Sequence, residues 1–205
     1  MRSIRARISH DDSAARYSSE FGVDVFFGNA RFAGPGTVDV DGTALHFKKA
    51  VIATGARATA PLIEGLAEAG YLTNETVFAL TERPKRLAVI GAGPIGCELA
   101  QAFSRLGSHV SLLESAPQIL TREDPDAAAI VQNVLVREGV ALVLGAAIRK
   151  VERKGGEKVL HFMRGERLEE LVVDEILVGA GRAPNVDGLG LESVGVDYDL
   201  RRGVN

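Results

Sequence analysis

Gly91, Gly93 and Gly96 have the spacing of a loop that brings backbone N–H groups against a pyrophosphate, and Glu114 follows 23 residues after the first of them. In Gly91-Ala92-Gly93-Pro94-Ile95-Gly96 the first glycine permits a tight turn and the second lets the backbone approach a phosphate. The third allows close packing of a helix on a strand. A helix that opens inside the motif presents unpaired N–H groups and a positive dipole end to the phosphates. A carboxylate about 20 residues further on hydrogen-bonds the adenosine ribose 2′-hydroxyl, and its charge repels a 2′-phosphate. No Lys or Arg follows Glu114 until Arg122, so NAD(H) is expected over NADP(H).

The glycine spacing is informative only where a strand precedes it and a helix follows. Arg86 to Ile90 reads as that strand, and Pro94 suits the first turn of the helix. Ile95, Leu99, Ala102, Phe103 and Leu106 make one apolar helix face, and Gly107 stands where a left-handed cap belongs. His109 to Leu113 is a second strand. Asp124-Pro125 opens a second helix with an expected buried face of Ile130, Val131, Val134 and Leu135, stopped by Gly139. Val140 to Leu144 is a third strand. This alternation predicts an α/β fold, a Rossmann-like domain with a parallel sheet.

Upstream, Val23 to Phe27, Thr37 to Val40, Ala44 to Phe47 and Lys49 to Ala53 are short β-rich runs. Asp41-Gly42 between two of them is a hairpin signal. The apolar run Ala50 to Ala53 reads as a buried strand that delivers a turn at Thr54-Gly55. Residues 57–84, with Pro61, Gly65, Gly70 and Pro84, read as a connection between two units, with a boundary near Arg83.

Composition narrows the function classes. The 205 residues are 46% apolar with a net charge of -3, enough to bury a core and without the basic stripe that nucleic-acid binding needs. No apolar stretch reaches the ~18 residues of a membrane span, and the first residues lack a signal-peptide core. One cysteine, Cys97, excludes an internal disulfide, which makes the cytoplasm the default compartment. Cys97 reads as a buried small residue, and His10, His46, His109 and His161 show no metal-ligand spacing.

Val51-Ile52-Ala53-Thr54-Gly55-Ala56, Gly91 through Glu98, and Val178-Gly179-Ala180-Gly181-Arg182-Ala183-Pro184-Asn185, in that order, resemble the flavin-dependent pyridine nucleotide-disulfide oxidoreductases. That family includes dihydrolipoamide dehydrogenase, glutathione reductase and mercuric reductase. Arg122-Glu123-Asp124-Pro125 and residues 28–40 look closest to mercuric reductase, whereas Glu114-Ser115 looks more like dihydrolipoamide dehydrogenase. The resemblance implies an enzyme that passes hydride from NADH to FAD and on to a disulfide or other acceptor. It implies that residues 84–171 form an NAD(H) domain inserted in a discontinuous FAD domain with a β-meander, made by residues 1–83 and 172–205. Thr54, Gly55 and Ala56 would touch FAD, Glu98 would lie near the nicotinamide, Gly181 would line the nicotinamide-flavin junction, and Ile148 would flank adenine.

The same residues have plainer readings: Thr54-Gly55 as a turn only, Ile148 as core, and Glu98 as a carboxylate near a positive dipole end. The family's first glycine motif and its Cys-x-x-x-x-Cys pair are absent from these 205 residues. Its C-terminal flavin contact and the dimer domain with the catalytic histidine would lie beyond Asn205. The chain is therefore expected to be a segment of a longer homodimeric protein, inactive alone. A non-catalytic NAD(H)-binding module is the rival reading.

Overall fold

In the computed structural model, which describes residues 2–205, the chain forms two units: the part up to Arg57 together with Ala183–Asn205, and Ala58–Arg182. The first opens with α1 (Arg2–Ile8) and α2 (Ala14–Phe21). The Ser13 hydroxyl accepts the Arg16 N–H at the start of α2, and Gly22 ends it in the left-handed region. β1 (Ala30–Gly34), β2 (Thr37–Val40) and β3 (Thr43–His46) make an antiparallel meander. Asp41 and Gly42, with φ of 45° and 91°, form the hairpin turn that their dipeptide predicts.

Residues 23–27 and 49–53, expected as strands, form none, and Phe27 and Val51 are 84% and 90% exposed. A strand needs a neighbour for its backbone groups. Among the described residues neither run has one, so apolar character alone does not bury Ala50 to Ala53.

β4 (Ala56–Ala58) carries the chain into the second unit, where α3 (Leu66–Ala69) and a 3₁₀ turn at Val77–Ala79 follow. The expected connection at 57–84 is thus largely an integral part of this unit. Leu66, Ala69 and Val77 are buried, Leu72 N–H donates to Ile176 C=O at 2.7 Å, and Val151 N–H donates to Glu64 C=O at 2.8 Å. Next come β5 (Arg86–Ile90), α4 (Pro94–Arg105), β6 (His109–Glu114), α5 (Pro125–Arg137) and β7 (Ala141–Leu144). β8 (Ala146–Lys154), β9 (Glu157–Arg164) and β10 (Arg167–Val173) form an antiparallel sheet that no sequence signal had marked. β11 (Glu175–Val178) then returns beside β5, giving a parallel sheet in the order β11-β5-β6-β7.

The sequence accounts for three of those four strands. Because β11 is hydrogen-bonded to β5, the compact units divide at 57/58 and 182/183, whereas the cofactor domains expected from the resemblance divide at 83/84 and 171/172. The helix faces follow expectation in part: Leu99 and Phe103 of α4 pack against the core and Leu135 of α5 is buried in it. α4 buries Gly96, Cys97 and Ala100 and leaves Leu106 64% exposed, while α5 buries Ala128 and Leu135 and leaves Ile130 67% exposed. α4 approaches the sheet over small residues with Leu99 and Phe103 packed beside them, whereas α5 turns Ala128 and the large Leu135 inward. Among the described residues one buried charge has a partner: Lys158 Nζ donates to Glu175 Oε2 at 2.6 Å and to Gly70 C=O at 2.8 Å, joining β9 to β11.

β12 (Arg182–Pro184) returns the chain to the first unit, followed by a 3₁₀ turn at Leu191–Val194, then β13 (Tyr198–Asp199) and β14 (Gly203–Val204). Leu191 is fully buried, and Phe32 N–H donates to Leu189 C=O at 2.7 Å, which fastens this return segment to β1.

Gly65 enters α3 at φ 74°, with its Cα pressed on the Val151 carbonyl so that any Cβ collides with backbone. Gly65→Ala is expected to cost at least about 2 kcal/mol from strain and overpacking. An unchanged urea midpoint would show that α3 does not sit on β8 in this way.

Candidate dinucleotide site

β5 ends at Gly91, whose φ of 95° turns the chain toward α4, and a Cβ there would stand 2.8 Å from the Ala180 Cα. Gly96 faces the same turn from the helix, and a side chain at that position would collide with the Gly91 carbonyl oxygen. Gly93 has nothing within 4 Å of where its Cβ would be. The three glycines therefore divide the work as their spacing predicts: Gly91 and Gly96 close the turn, and Gly93 leaves an open backbone face. Pro94 supplies the first helical residue.

Glu114 ends β6 and turns its carboxylate back into this loop. Oε2 accepts the Ala92 N–H at 2.8 Å, and Oε1 accepts the Ala116 N–H at 3.0 Å and the Ser115 hydroxyl at 3.1 Å. The carbonyl of Ala92 accepts the Leu120 N–H at 2.9 Å and the Cys97 thiol at 3.4 Å. The middle peptides of the glycine loop are thus fixed without any ligand. Glu114 does structural work that the sequence reading, which gave it only a ribose, had not assigned.

A cleft of about 1000 Å³ opens over the loop. It brings together Gly91, Gly93, Pro94, Ile95, Glu114, Ile148 and Gly181. Ala92 and Gly96 lie buried beneath, while Glu98 is exposed on α4 and outside the lining. Thr54, Gly55 and Ala56 belong to the other unit. The sequence reading missed the wall at Pro61, Leu62 and Ile63, which carries no motif, and the wall at residues 120–123. The second had a signal, since residues just before the Asp124 cap must lie near the end of the sheet where α5 begins.

Residues 7–205 match the model of the pyridine nucleotide-disulphide oxidoreductases. The chain belongs to that family. It is 39% identical over 178 residues to a mercuric reductase of Lysinibacillus sphaericus, covering 87% of this chain and 33% of that one. A dihydrolipoyl dehydrogenase of Thermus scotoductus is 38% identical over 188 residues, covering 87% and 39%. The chain thus spans well under half the length of these relatives. Among solved structures, a Cu(II) complex of the HOCl-induced flavoprotein disulfide reductase RclA from Escherichia coli superposes with a TM-score of 0.79 at 31% identity, covering 89% of this chain and 41% of that one.

In this member of the pyridine nucleotide-disulphide oxidoreductases, two of the segments that carry the resemblance meet. Within the first unit the Thr54 hydroxyl donates to the Asn185 carbonyl at 2.6 Å, Asn185 Nδ2 donates to the Thr54 carbonyl at 3.0 Å, and Asn185 N–H donates to the Gly55 carbonyl at 3.0 Å. Residues 131 apart in sequence are stitched side chain to backbone in both directions. Among the described residues no helix is long and apolar enough to cross a membrane, and no group of three His, Cys, Asp or Glu is placed to hold a metal ion.

Cys97 is 5% exposed, and burial, followed by the charges of Glu114 and Glu98, pushes its thiol up to about 11. The folded pKa lies above the ordinary thiol value, so the folded state keeps the proton longer than the unfolded chain. Stability is expected to be full below the unfolded pKa and to decline as pH rises from about 9 toward 11. At pH 8 about one thiol in 1000 would be thiolate, so a thiol reagent should label Cys97 only after denaturation. Rapid labelling of the native protein would contradict the burial of α4 on the sheet.

Proposed function

We propose that Ala58–Arg182 binds NAD(H) in the cleft over the glycine loop, as part of an enzyme that passes hydride from NADH to FAD and on to a disulfide or other acceptor. The observation that carries this reading is the open backbone at Gly93, held at the mouth of a cleft with Glu114 fixed beside it. A pyrophosphate fits where a Cβ is missing and where the first turn of α4 offers its free N–H groups. NADH supplies the hydride, and the protein's part is to bind and orient it.

The roles proposed for the chain's own residues rest on their places and, for Glu98, Thr54, Gly55 and Ala56, on the family resemblance. Gly91 and Gly96 keep the loop low, Gly93 admits the phosphates, and the α4 terminus neutralises their charge. Glu114 takes the adenosine ribose with the lone pairs that the loop leaves free, and Ile148 lies against adenine. Gly181, where a Cβ would stand 3.0 Å from the Thr59 hydroxyl, keeps the opposite wall thin for the nicotinamide, toward which Glu98 is assigned. Thr54, Gly55 and Ala56 are assigned to FAD, with the Asn185 hydrogen bonds fixing their backbone. In functional terms residues 84–171 are the NAD(H) domain, residues 1–83 and 172–205 serve FAD, and the whole protein is a homodimer.

Titration of the purified protein with NADH, followed by nicotinamide fluorescence, is expected to saturate, and NADPH is expected to bind more weakly. Glu114→Ala should weaken NADH roughly tenfold, since it removes both a ribose partner and an anchor of the loop. A folded protein that binds neither dinucleotide would sink the proposal, and tighter binding of NADPH would reverse the cofactor preference.

A further inference from the structure

Leu72 N–H donates to the Ile176 carbonyl and Val178 N–H to the Leu72 carbonyl, so the segment at Leu72 lies beside β11 on the side away from β5. In the turn that follows, three side chains are committed to backbone donors. The Thr73 hydroxyl accepts the Glu75 N–H at 3.2 Å, the Thr76 hydroxyl accepts the Thr73 N–H at 2.9 Å, and Glu75 Oε1 accepts the Ala58 N–H at 3.0 Å. Asn74 is the exception, for its amide makes no hydrogen bond among the described residues. An asparagine ordinarily serves a turn by bonding its own backbone or by tolerating the left-handed region. Asn74 does neither, since its φ is not positive. The turn therefore does not account for the residue. The cleft does, because Asn74 lines it together with Gly179, Ala180 and Gly181 at the end of β11.

Across the floor of the cleft the order runs from the segment of Asn74 through β11 and β5 to β6, which ends at Glu114. A dinucleotide with its adenosine at Glu114 and its pyrophosphate over Gly93 brings its nicotinamide to the β11 end. We infer that the Asn74 side chain binds the nicotinamide carboxamide and so fixes the rotation of that ring in the cleft. The inference rests on the dinucleotide reading of the cleft and gives it a positioning residue for the nicotinamide. An amide suits the task, because Oδ1 accepts an N–H of the carboxamide while Nδ2 donates to its carbonyl, and each amide satisfies the other. A carboxylate such as that of Glu98 offers acceptors alone and cannot bind the carbonyl.

The test titrates the wild-type protein, Asn74→Ala and Asn74→Gln calorimetrically with three probes: NADH, ADP-ribose, which lacks the nicotinamide, and the acetylpyridine analogue of NADH, in which a methyl replaces the carboxamide nitrogen. Asn74→Ala is expected to weaken NADH about tenfold, to leave ADP-ribose unchanged, and to abolish the wild-type preference for NADH over the acetylpyridine analogue. Asn74→Gln should recover part of the loss. Equal NADH affinities of wild type and Asn74→Ala overturn the inference while the dinucleotide reading stands. A loss that extends equally to ADP-ribose overturns it as well, since the amide would then support the cleft and not touch the nicotinamide. A wild-type protein that binds none of the probes overturns both.

Discussion

The hydrogen bonds that converge on Ala92 organise the second unit. Its N–H is taken by a carboxylate from the end of β6, and its carbonyl by a backbone N–H from the segment before α5 and by a thiol from α4. Each partner comes from a different element, so β6, α4 and the entry to α5 are all referred to one residue. A buried backbone group must find a partner, and here the requirement fixes the loop before a ligand arrives. If the proposed dinucleotide binds there, a loop fixed in this way lowers the ordering cost of binding.

Close packing supports this arrangement. Gly91, Gly96 and Gly179 let three backbone segments touch, since a Cβ at Gly179 would stand only 3.2 Å from the Gly96 nitrogen. Helices that approach a sheet over glycine and alanine lie closer than helices that approach over leucine. On α4 the same closeness leaves Leu106 outside, although its spacing marks it as a helix interior.

The parts of the fold that were legible in the sequence are the locally determined ones. The glycine motif, the Asp-Gly turn, the Asp124-Pro125 cap and the three alternating strands each depend on neighbours within a few residues. What was not legible depends on distant partners. Residues 49–53 have the composition of a buried strand but lack a flanking strand, and β8 to β10 alternate too irregularly to announce a sheet. In the cleft, the glycines and Glu114 follow from spacing, whereas Pro61, Leu62 and Ile63 reach the wall only because Gly65 and Glu64 lock onto β8. The double use of Glu114 also needed coordinates, because a sequence shows that a carboxylate is present and not how many donors it serves.

The place of β11 has a consequence for the order of assembly during synthesis. β5 lies second in the sheet, and its partner on one side, β6, emerges soon after it, but the other side stays open until residues 175–178 have left the ribosome. The Arg86 to Asp174 contacts that mark this closure join residues 88 apart. A nascent chain therefore carries an unpaired apolar edge at β5 while the whole β8 to β10 sheet is made. That edge presents apolar strand surface while it waits, and pauses in translation before residue 175 would prolong its exposure.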